Sequence, residues 1–197
     1  MASIILIAGL PAAGKTSFCQ YLSENMKIPV ISKDFIKEHL FDTIGFNSRE
    51  EKVKLGIASQ NIMYGIAKKS MELNLPVILE NNFENNSIDQ VVRLIDQYDY
   101  HCITVRFGGD LRTIYQRFID RNHGPDRHLG HVTNVCYPLK DGNDIEPDLT
   151  FEQYQKMVTE RGMIDFSIGN DLICVDTTDF SKIDYNEIIE QIKSRMI

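Results

Sequence analysis

Gly9-Leu10-Pro11-Ala12-Ala13-Gly14-Lys15-Thr16 follows an apolar run at residues 3–8 and precedes a segment with helical periodicity. Glycines at this spacing let backbone N–H groups curl around phosphate oxygens, and Lys15 supplies a positive charge. The Thr16 hydroxyl is a suitable ligand for Mg²⁺. The stretch therefore predicts a phosphate-binding loop between a strand and a helix. A plain strand-to-helix turn is the alternative, but such a turn has no need of adjacent Lys and Thr residues.

The predicted nucleotide contacts are nine consecutive residues of this loop and of the helix that follows: Gly9, Leu10, Pro11, Ala12, Ala13, Gly14, Lys15, Thr16 and Ser17. The helix that starts near Lys15 adds the positive end of its dipole to the site. ATP, or a similar nucleotide, together with Mg²⁺ is the ligand that this pattern favours.

Four further apolar runs resemble a strand buried on both faces, at residues 29–32, 76–80, 102–107 and 171–176. Helices are predicted between them, at residues 16–26, 35–46, 49–73, 87–98, 110–121, 151–161 and 185–195. Several helix starts carry capping pairs, namely Ser48 with Glu51, Ser87 with Gln90, Thr150 with Gln153 and Asp184 with Glu187. Strand and helix in alternation predict an α/β fold, and the length suits one domain over residues 1–197.

Residues 122–147, here called the lid segment, interrupt this alternation. They contain three glycines and three prolines and show no sustained period. A loop of this length inside a compact domain is usually functional or disordered. We expect a mobile lid that excludes water from a reacting phosphoryl group.

Composition narrows the function classes. The net charge of −7 argues against non-specific binding to nucleic acid, which depends on Lys and Arg. The longest apolar stretch, residues 2–13, lacks a basic leader and runs into Lys15, so it suits neither a signal peptide nor a membrane span, and we expect a cytoplasmic protein. Cys19, Cys102, Cys136 and Cys174 are far apart, which predicts free, mostly buried thiols.

Asp34 directly follows the second predicted strand, where ligands lie in an open α/β sheet. A carboxylate there can orient an acceptor hydroxyl and receive its proton, so we expect Asp34 to act as a catalytic base. The alternative is that Asp34 only caps the following helix.

Glu80 ends the third predicted strand, where an acidic residue would hold Mg²⁺ directly or through water. Glu80 and Thr16 are therefore the predicted metal ligands. The alternative is that Glu80 has no metal role, because apolar strands often end in an acidic residue where they reach solvent. Asn81 and Asn82, which follow, suit either acceptor contacts or a turn.

Arginines cluster around the start of the lid segment in an otherwise acidic chain. Arg117 and Arg121 are four residues apart on one predicted helix and should point together toward the lid segment, which contains Arg127. We expect at least one of the three to contact the transferring phosphate, and Lys15 to assist. A solvated helix face is the alternative. His123, His128 and His131 do not recur with acidic or Cys partners at metal-ligand spacing.

With these residues identified, nearly the whole chain resembles the small P-loop kinase-like ATP-binding proteins, the group near zeta toxins, chloramphenicol phosphotransferases and the kinase domain of polynucleotide kinase. The likeness is carried by residues 9–16, 32–34, 77–82, 117–121, 127–131 and 175–178. It implies a P-loop NTPase three-layer sandwich with a five-stranded parallel sheet of order 2-3-1-4-5. It also implies an aspartate base at Asp34, lid arginines at Arg117 and Arg121, and a loop at residues 175–178 beside the adenine.

Two positions depart from the pattern of that group. Leu129 stands where proline is frequent, and Lys37 stands where polynucleotide kinase-like members carry arginine. The second departure weakens a nucleic-acid 5′-hydroxyl as the substrate. The sequence thus favours a Mg·ATP-dependent kinase that acts on a hydroxyl of a small molecule. A nucleotide-dependent ATPase or switch without an acceptor is the main alternative.

Overall fold

Five parallel strands form one sheet in the order β2-β3-β1-β4-β5. The computed structural model describes residues 2–140 and 144–196. The strands are β1 (Ala2–Gly9), β2 (Val30–Ser32), β3 (Val77–Glu80), β4 (Tyr100–Gly108) and β5 (Asp171–Asp176). The helices are α1 (Lys15–Met26), α2 (Lys33–Ile44), α3 (Arg49–Met71), α4 (Ile88–Tyr98), α5 (Leu111–Asn122), α6 (Phe151–Glu160) and α7 (Tyr185–Arg195). The predicted α/β fold and strand order are confirmed.

Strand β1 is the centre of the sheet, hydrogen-bonded to β3 on one side and to β4 on the other. Its residues are all buried because helices cover both faces. Ile5 and Ile7 join the core cluster that contains α1 and α7 side chains, whereas Ile4 and Leu6 join the cluster that contains α3 and α4 side chains. This alternation explains why the sequence of β1 is continuously apolar.

Helix starts follow the predicted caps with one exception. Thr150 and Gln153 form a complete capping box on α6, and the Ser48 and Asp184 side chains accept backbone N–H groups of α3 and α7. The predicted cap at Ser87 is wrong. A short 3-10 turn, Asn85–Ser87, precedes α4, so Ser87 already has helical backbone angles and pairs back with Glu84.

Helix α2 is shifted toward the N-terminus relative to the prediction of residues 35–46. It begins at Lys33 and ends at Ile44, where the following Gly45, with a φ of 71°, stops the helix. Phe46 instead exchanges two backbone hydrogen bonds with Tyr137 of the lid segment, at 2.9 and 2.8 Å. This antiparallel bridge ties the lid segment to the end of α2.

The lid segment packs along α2 in the part that is described, residues 122–140 and 144–147. It contains a short 3-10 turn, Leu129–His131, and the Glu146 amide donates to the Val132 carbonyl at 2.9 Å. Gly130 fits against the Phe41 ring of α2, since a Cβ added there would lie 2.4 Å from that ring. Residues 141–143 of the predicted lid lie outside the described residues.

All four cysteines are free thiols, as predicted; Cys19, Cys102 and Cys136 are buried and Cys174 is exposed. Burial raises the pKa of Cys102 to about 12, so this thiol is unreactive at neutral pH. In the described ranges, no helix has both the length and the apolar character needed to cross a bilayer.

Candidate active site

The loop between β1 and α1 has the backbone geometry of an anion-binding site. Gly9 has a φ of 119°, and a Cβ there would lie 2.0 Å from the Phe107 carbonyl oxygen, so only glycine fits. Gly14 has a φ of 84° and directly precedes α1, which begins at Lys15. The first N–H groups of α1 therefore lie at the loop without intrahelical partners, together with the positive end of the helix dipole.

Lys15 lies buried inside this loop. Its ammonium donates to the Gly9 carbonyl at 3.0 Å, the Leu10 carbonyl at 2.8 Å and the Asn82 side-chain oxygen at 2.8 Å. Burial lowers the pKa of Lys15 to about 8, although nearby Glu80 and Asp34 act in the opposite direction. Lys15 therefore carries its charge at neutral pH and is held inside the loop by these three contacts.

Thr16 and Glu80 lie side by side at the end of β3. The Thr16 hydroxyl donates to Glu80 Oε1 at 2.7 Å, and Glu80 is only 6% exposed. The alternative of a solvated strand end is therefore wrong. A hydroxyl and a carboxylate are the hard oxygen donors that Mg²⁺ prefers, and both face a cleft with room for phosphate oxygens and water.

Asp34 lies in the first turn of α2 and does not cap the helix. Ser32 is the cap, and its hydroxyl accepts the Phe35 amide at 3.4 Å. Asp34 instead lines a cleft of about 210 Å³ with Lys15, Thr16 and Glu80, and we call this space the acceptor cleft. Burial alone would raise the pKa of Asp34, but His131 in its protonated form and the ammonium groups of Lys37 and Lys33 lower it by more, so the net pKa lies below its ordinary value. The carboxylate is thus ionised at neutral pH.

Arg117 and Arg121 both line a cavity that is also bordered by residues of the lid segment, but the two side chains make different contacts. Arg117 donates to the carbonyls of Thr177 and Thr178, and its guanidinium stacks 3.9 Å from the centroid of the Phe180 ring. It thereby holds the loop after β5. Arg121, one turn later, faces the cleft near Lys15.

A second cavity, of about 580 Å³, extends from the phosphate-binding loop toward Arg117 and Phe180; we call it the nucleotide cavity. It shares four lining residues with the acceptor cleft: Lys15, Thr16, Arg121 and Arg127. Burial lowers the pKa of Arg127 to about 10, and its neighbour Arg121 contributes. Two cavities therefore meet at a junction that carries three positive charges and the Thr16 hydroxyl.

Each histidine of the lid segment pairs with one carboxylate. His131 Nε2 lies 2.8 Å from Glu38 and His128 Nε2 lies 3.0 Å from Asp42, both on α2. His123 pairs instead with Asp148 at 2.6 Å. Burial lowers the pKa of His131, so it donates as a neutral ring at neutral pH. Across residues 2–140 and 144–196, no group of three or more His, Cys, Asp or Glu side chains could hold a metal ion.

The sequence did not single out several residues that complete the site. Lys52 of α3 donates to the His131 and Thr133 carbonyls and so holds the lid segment, and Arg161 lines the acceptor cleft from the end of α6. Phe180 stacks on Arg117. These residues lie far apart in the sequence and belong to no spaced motif, so only the packing of the folded chain reveals that they belong to the site. The hydrogen bond from Lys15 to Asn82 likewise gives Asn82 a role in holding the lysine, which the sequence did not predict.

A family model described as an AAA domain matches residues 4–136, which is more than half of the chain. The chain belongs to this family. The matched AAA-domain residues include the phosphate-binding loop, Asp34, Glu80 and the three arginines. The resemblance to small P-loop kinase-like proteins is thereby confirmed.

Two solved structures share the fold. A protein from Chloroflexus aurantiacus J-10-fl, described only as a candidate kinase, is similar with a TM-score of 0.82 and 24% identity over 99% of this chain and 98% of its own. Kti12 from Chaetomium thermophilum, in complex with ADP-AlF3, has a TM-score of 0.60 and 14% identity over 98% of this chain and 99% of its own.

Among curated proteins, the L-seryl-tRNA(Sec) kinase of Methanococcus maripaludis is 24% identical over 195 residues. The alignment covers 96% of this chain and 64% of the relative. The chain therefore spans less than two thirds of the length of that relative.

Proposed function

We propose that this protein is an ATP-dependent phosphotransferase that moves the γ-phosphate of Mg·ATP to a hydroxyl of a small molecule. The observation that carries the proposal is the junction of two cavities at Lys15, Thr16, Arg121 and Arg127, with the ionised Asp34 on the acceptor side. A protein that only bound or hydrolysed nucleotide would need no second cleft for an acceptor molecule. Likeness to proteins named as kinases supports the same conclusion.

The nucleotide would lie with its phosphates on the phosphate-binding loop and its base toward Arg117 and Phe180. The flat guanidinium and the aromatic ring are suited to stack against a purine. Gly14 lies under the same ring, where a Cβ would be 2.8 Å from Phe180. On binding, we expect Lys15 to exchange its contacts with the Gly9 and Leu10 carbonyls for phosphate oxygens.

The residues present fit a magnesium ion. Thr16 and Glu80 would hold it at the end of β3, directly or through water. When bound, the ion would neutralise charge on the β- and γ-phosphates.

In the transfer step, the acceptor oxygen forms a bond to the γ-phosphorus, and the bond from that phosphorus to the bridging oxygen of ADP breaks. Asp34 orients the hydroxyl and receives its proton. Arg121 and Arg127 stabilise the charge that spreads over the equatorial oxygens. The lid segment, docked on α2, keeps water away from the phosphoryl group.

Substitution Asp34→Asn tests the proposal with a panel of hydroxylated metabolites, sugars, nucleosides and antibiotics supplied with Mg·ATP. We expect phosphorylated product from at least one acceptor, a loss of kcat of about 10² to 10⁴ in the variant and little change in ATP affinity. The control is Asp96→Asn on the exposed surface of α4, which should leave both unchanged. Retained ATP turnover in Asp34→Asn with no product from any acceptor would favour a nucleotide-dependent ATPase or switch.

A second acceptor class is supported by the name of the curated relative, which points to a hydroxyl on a seryl-tRNA. The net charge of −7 opposes it, since tRNA contacts require cations that neutralise phosphates. Gel-shift measurements with tRNA over a salt series decide the question. A shift that weakens steeply with salt would establish this class in place of a small molecule.

A further inference from the structure

The acceptor cleft carries an excess of positive charge beyond what the nucleotide junction uses. Away from the junction residues and the metal ligand Glu80, its charged lining consists of Lys33, Asp34, Lys37, Glu84 and Arg161. Asp34 is assigned to the acceptor hydroxyl, and Glu84 is already paired with Arg161 at 2.8 Å. Lys33 and Lys37 have no further carboxylate in the cleft lining to balance them.

Two cations of the cleft, Lys37 and Arg127, form no ion pair in the part of the chain that the structure describes. Lys37 makes no ion pair or hydrogen bond there, and its ammonium lies 5.2 Å from the centroid of the Phe41 ring. Arg127 Nε is buried without a hydrogen-bond partner. Burial lowers the pKa of Lys37, whereas the Asp34 carboxylate acts in the opposite direction. Cations held together in this way are costly unless an anion joins them.

The nucleotide does not account for all of these cations. Arg127 lines the nucleotide cavity as well as the acceptor cleft, so a γ-phosphate can satisfy it. Lys37 lines the acceptor cleft and not the nucleotide cavity. Arg161 is likewise absent from the nucleotide cavity and is 51% exposed, so part of its guanidinium remains free for another acceptor group.

We propose that the phosphoryl acceptor carries an anionic group, a carboxylate or a phosphate, that binds Lys37 and Arg161 while its hydroxyl lies at Asp34. This inference rests on the proposed kinase function, because it specifies the acceptor of that same site. The cleft of about 210 Å³ is smaller than pockets for drug-sized ligands, which run from about 300 to 1,000 Å³. The acceptor class is therefore a small hydroxylated acid or a small phosphorylated alcohol.

The test compares acceptors that differ in the anionic group alone: glycerol with glycerate and with glycerol phosphate, and N-acetylserinamide with N-acetylserine. Binding of each is measured by calorimetry to the full chain saturated with Mg²⁺ and a non-hydrolysable ATP analogue. We expect an anionic member of at least one set to bind about tenfold or more tightly than its neutral partner. Glycerate and glycerol phosphate then distinguish carboxylate from phosphate.

Substitution Lys37→Gln should reduce that preference to less than about threefold, with nucleotide affinity unchanged. Lys54→Gln is the matched control, because Lys54 is exposed on α3 and pairs with Glu50. Arg161→Gln is a second variant if Lys37→Gln does not fold. If an anionic acceptor is phosphorylated, Lys37→Gln and Arg161→Gln should each raise KM for that acceptor by a larger factor than they lower kcat.

The measurements distinguish a failure of the proposed anion subsite from a failure of the proposed kinase function. Selective binding of an anionic member without transfer supports the anion subsite and counts against the kinase. Phosphorylation of neutral members with no preference for their anionic partners overturns the inference and leaves the kinase intact. Equal affinity within every set, including no binding at all, overturns the inference, as does tight binding of tRNA alone.

Discussion

Lys15 and Asp34 carry opposite charges in one cleft, and their surroundings keep both of them ionised. Burial lowers the pKa of Lys15 to about 8, which still leaves the ammonium protonated at neutral pH. The positive charges around Asp34 outweigh the effect of burial and keep its pKa below the ordinary value, so the carboxylate is ionised at neutral pH. At the scale of single residues, the site thus depends on charges that stabilise one another.

The pKa of Lys15 predicts how nucleotide binding depends on pH. Below about pH 8 the ammonium is charged and attracts phosphate; above it the charge is lost, so the affinity for Mg·ADP should fall as pH rises through that value. Kd measured from about pH 6 to 9.5 checks this. Lys15→Arg is the control, because guanidinium stays charged and should bind more weakly but without the fall. An unchanged Kd up to about pH 9.5 in the wild type would contradict the prediction.

Helix ends and the lid segment decide stability and access at the scale of secondary-structure elements. The capping box of α6 fixes the chain where it leaves the lid segment, and Gly130 fixes the lid segment against Phe41 of α2. Both contacts are local, so each can be removed without disturbing the sheet.

Thr150→Ala removes the cap of α6. The Gln153 amide then loses its partner, and the free energy of unfolding should fall by about 1 kcal/mol. Urea denaturation measures this. Thr159→Ala, the same substitution at an exposed position in the same helix, should change stability by less than about 0.5 kcal/mol. Equal effects of the two substitutions would show that the box contributes nothing.

Gly130→Ala tests how the lid segment docks. The new Cβ would lie 2.4 Å from the Phe41 ring, so the segment must move away from α2, at a cost of about 1 to 3 kcal/mol. We expect faster proteolysis within residues 122–147 and lower stability to urea. Gly65→Ala is the control: apart from the adjacent residues and the backbone of its own helix, no heavy atom of the described residues would lie within 4 Å of the new Cβ, so it should be neutral or stabilise α3 by up to about 1 kcal/mol. Proteolysis of Gly130→Ala at the wild-type rate would argue against the docked arrangement.

At the scale of the whole molecule, the sheet brings the site together. Strand β1 is central, so its loop emerges between β3, which supplies Glu80, and β4, against which Gly9 packs. Helices α2, α5 and α6 then close the cleft from three directions. A nucleotide bound there would contact groups from most of the fold.

Nucleotide binding should therefore stabilise the whole protein against unfolding. At about one hundred times Kd, Mg·ADP should add about 2.7 kcal/mol, or about 5 to 10 °C in Tm. Differential scanning calorimetry measures the shift. Asp34→Asn should keep it, whereas Lys15→Met should lose most of it. A shift that survives Lys15→Met would place the nucleotide elsewhere.

The fold and the phosphate-binding loop could be predicted from the sequence because both depend on local patterns. Continuous apolar runs predicted the strands, although the edge strands β2 and β5 are only partly buried, and the spacing from Gly9 to Thr16 predicted the loop that joins β1 to α1. The adjacency of Thr16 and Glu80 was foreseeable because each stands at the end of a strand or the start of a helix.

The direction of each side chain was decided only by tertiary structure. Arg117 and Arg121 share a helix, but the carbonyls after β5 and the Phe180 ring capture the first and leave the second in the cleft. Arg161 joins Lys37 in the acceptor cleft only because α6 ends beside α2, and no spacing in the chain encodes that meeting. The sequence by itself thus determined the fold and the nucleotide loop, since neighbours along the chain build them. The acceptor cleft required the packing of distant elements, which sets where their charges lie.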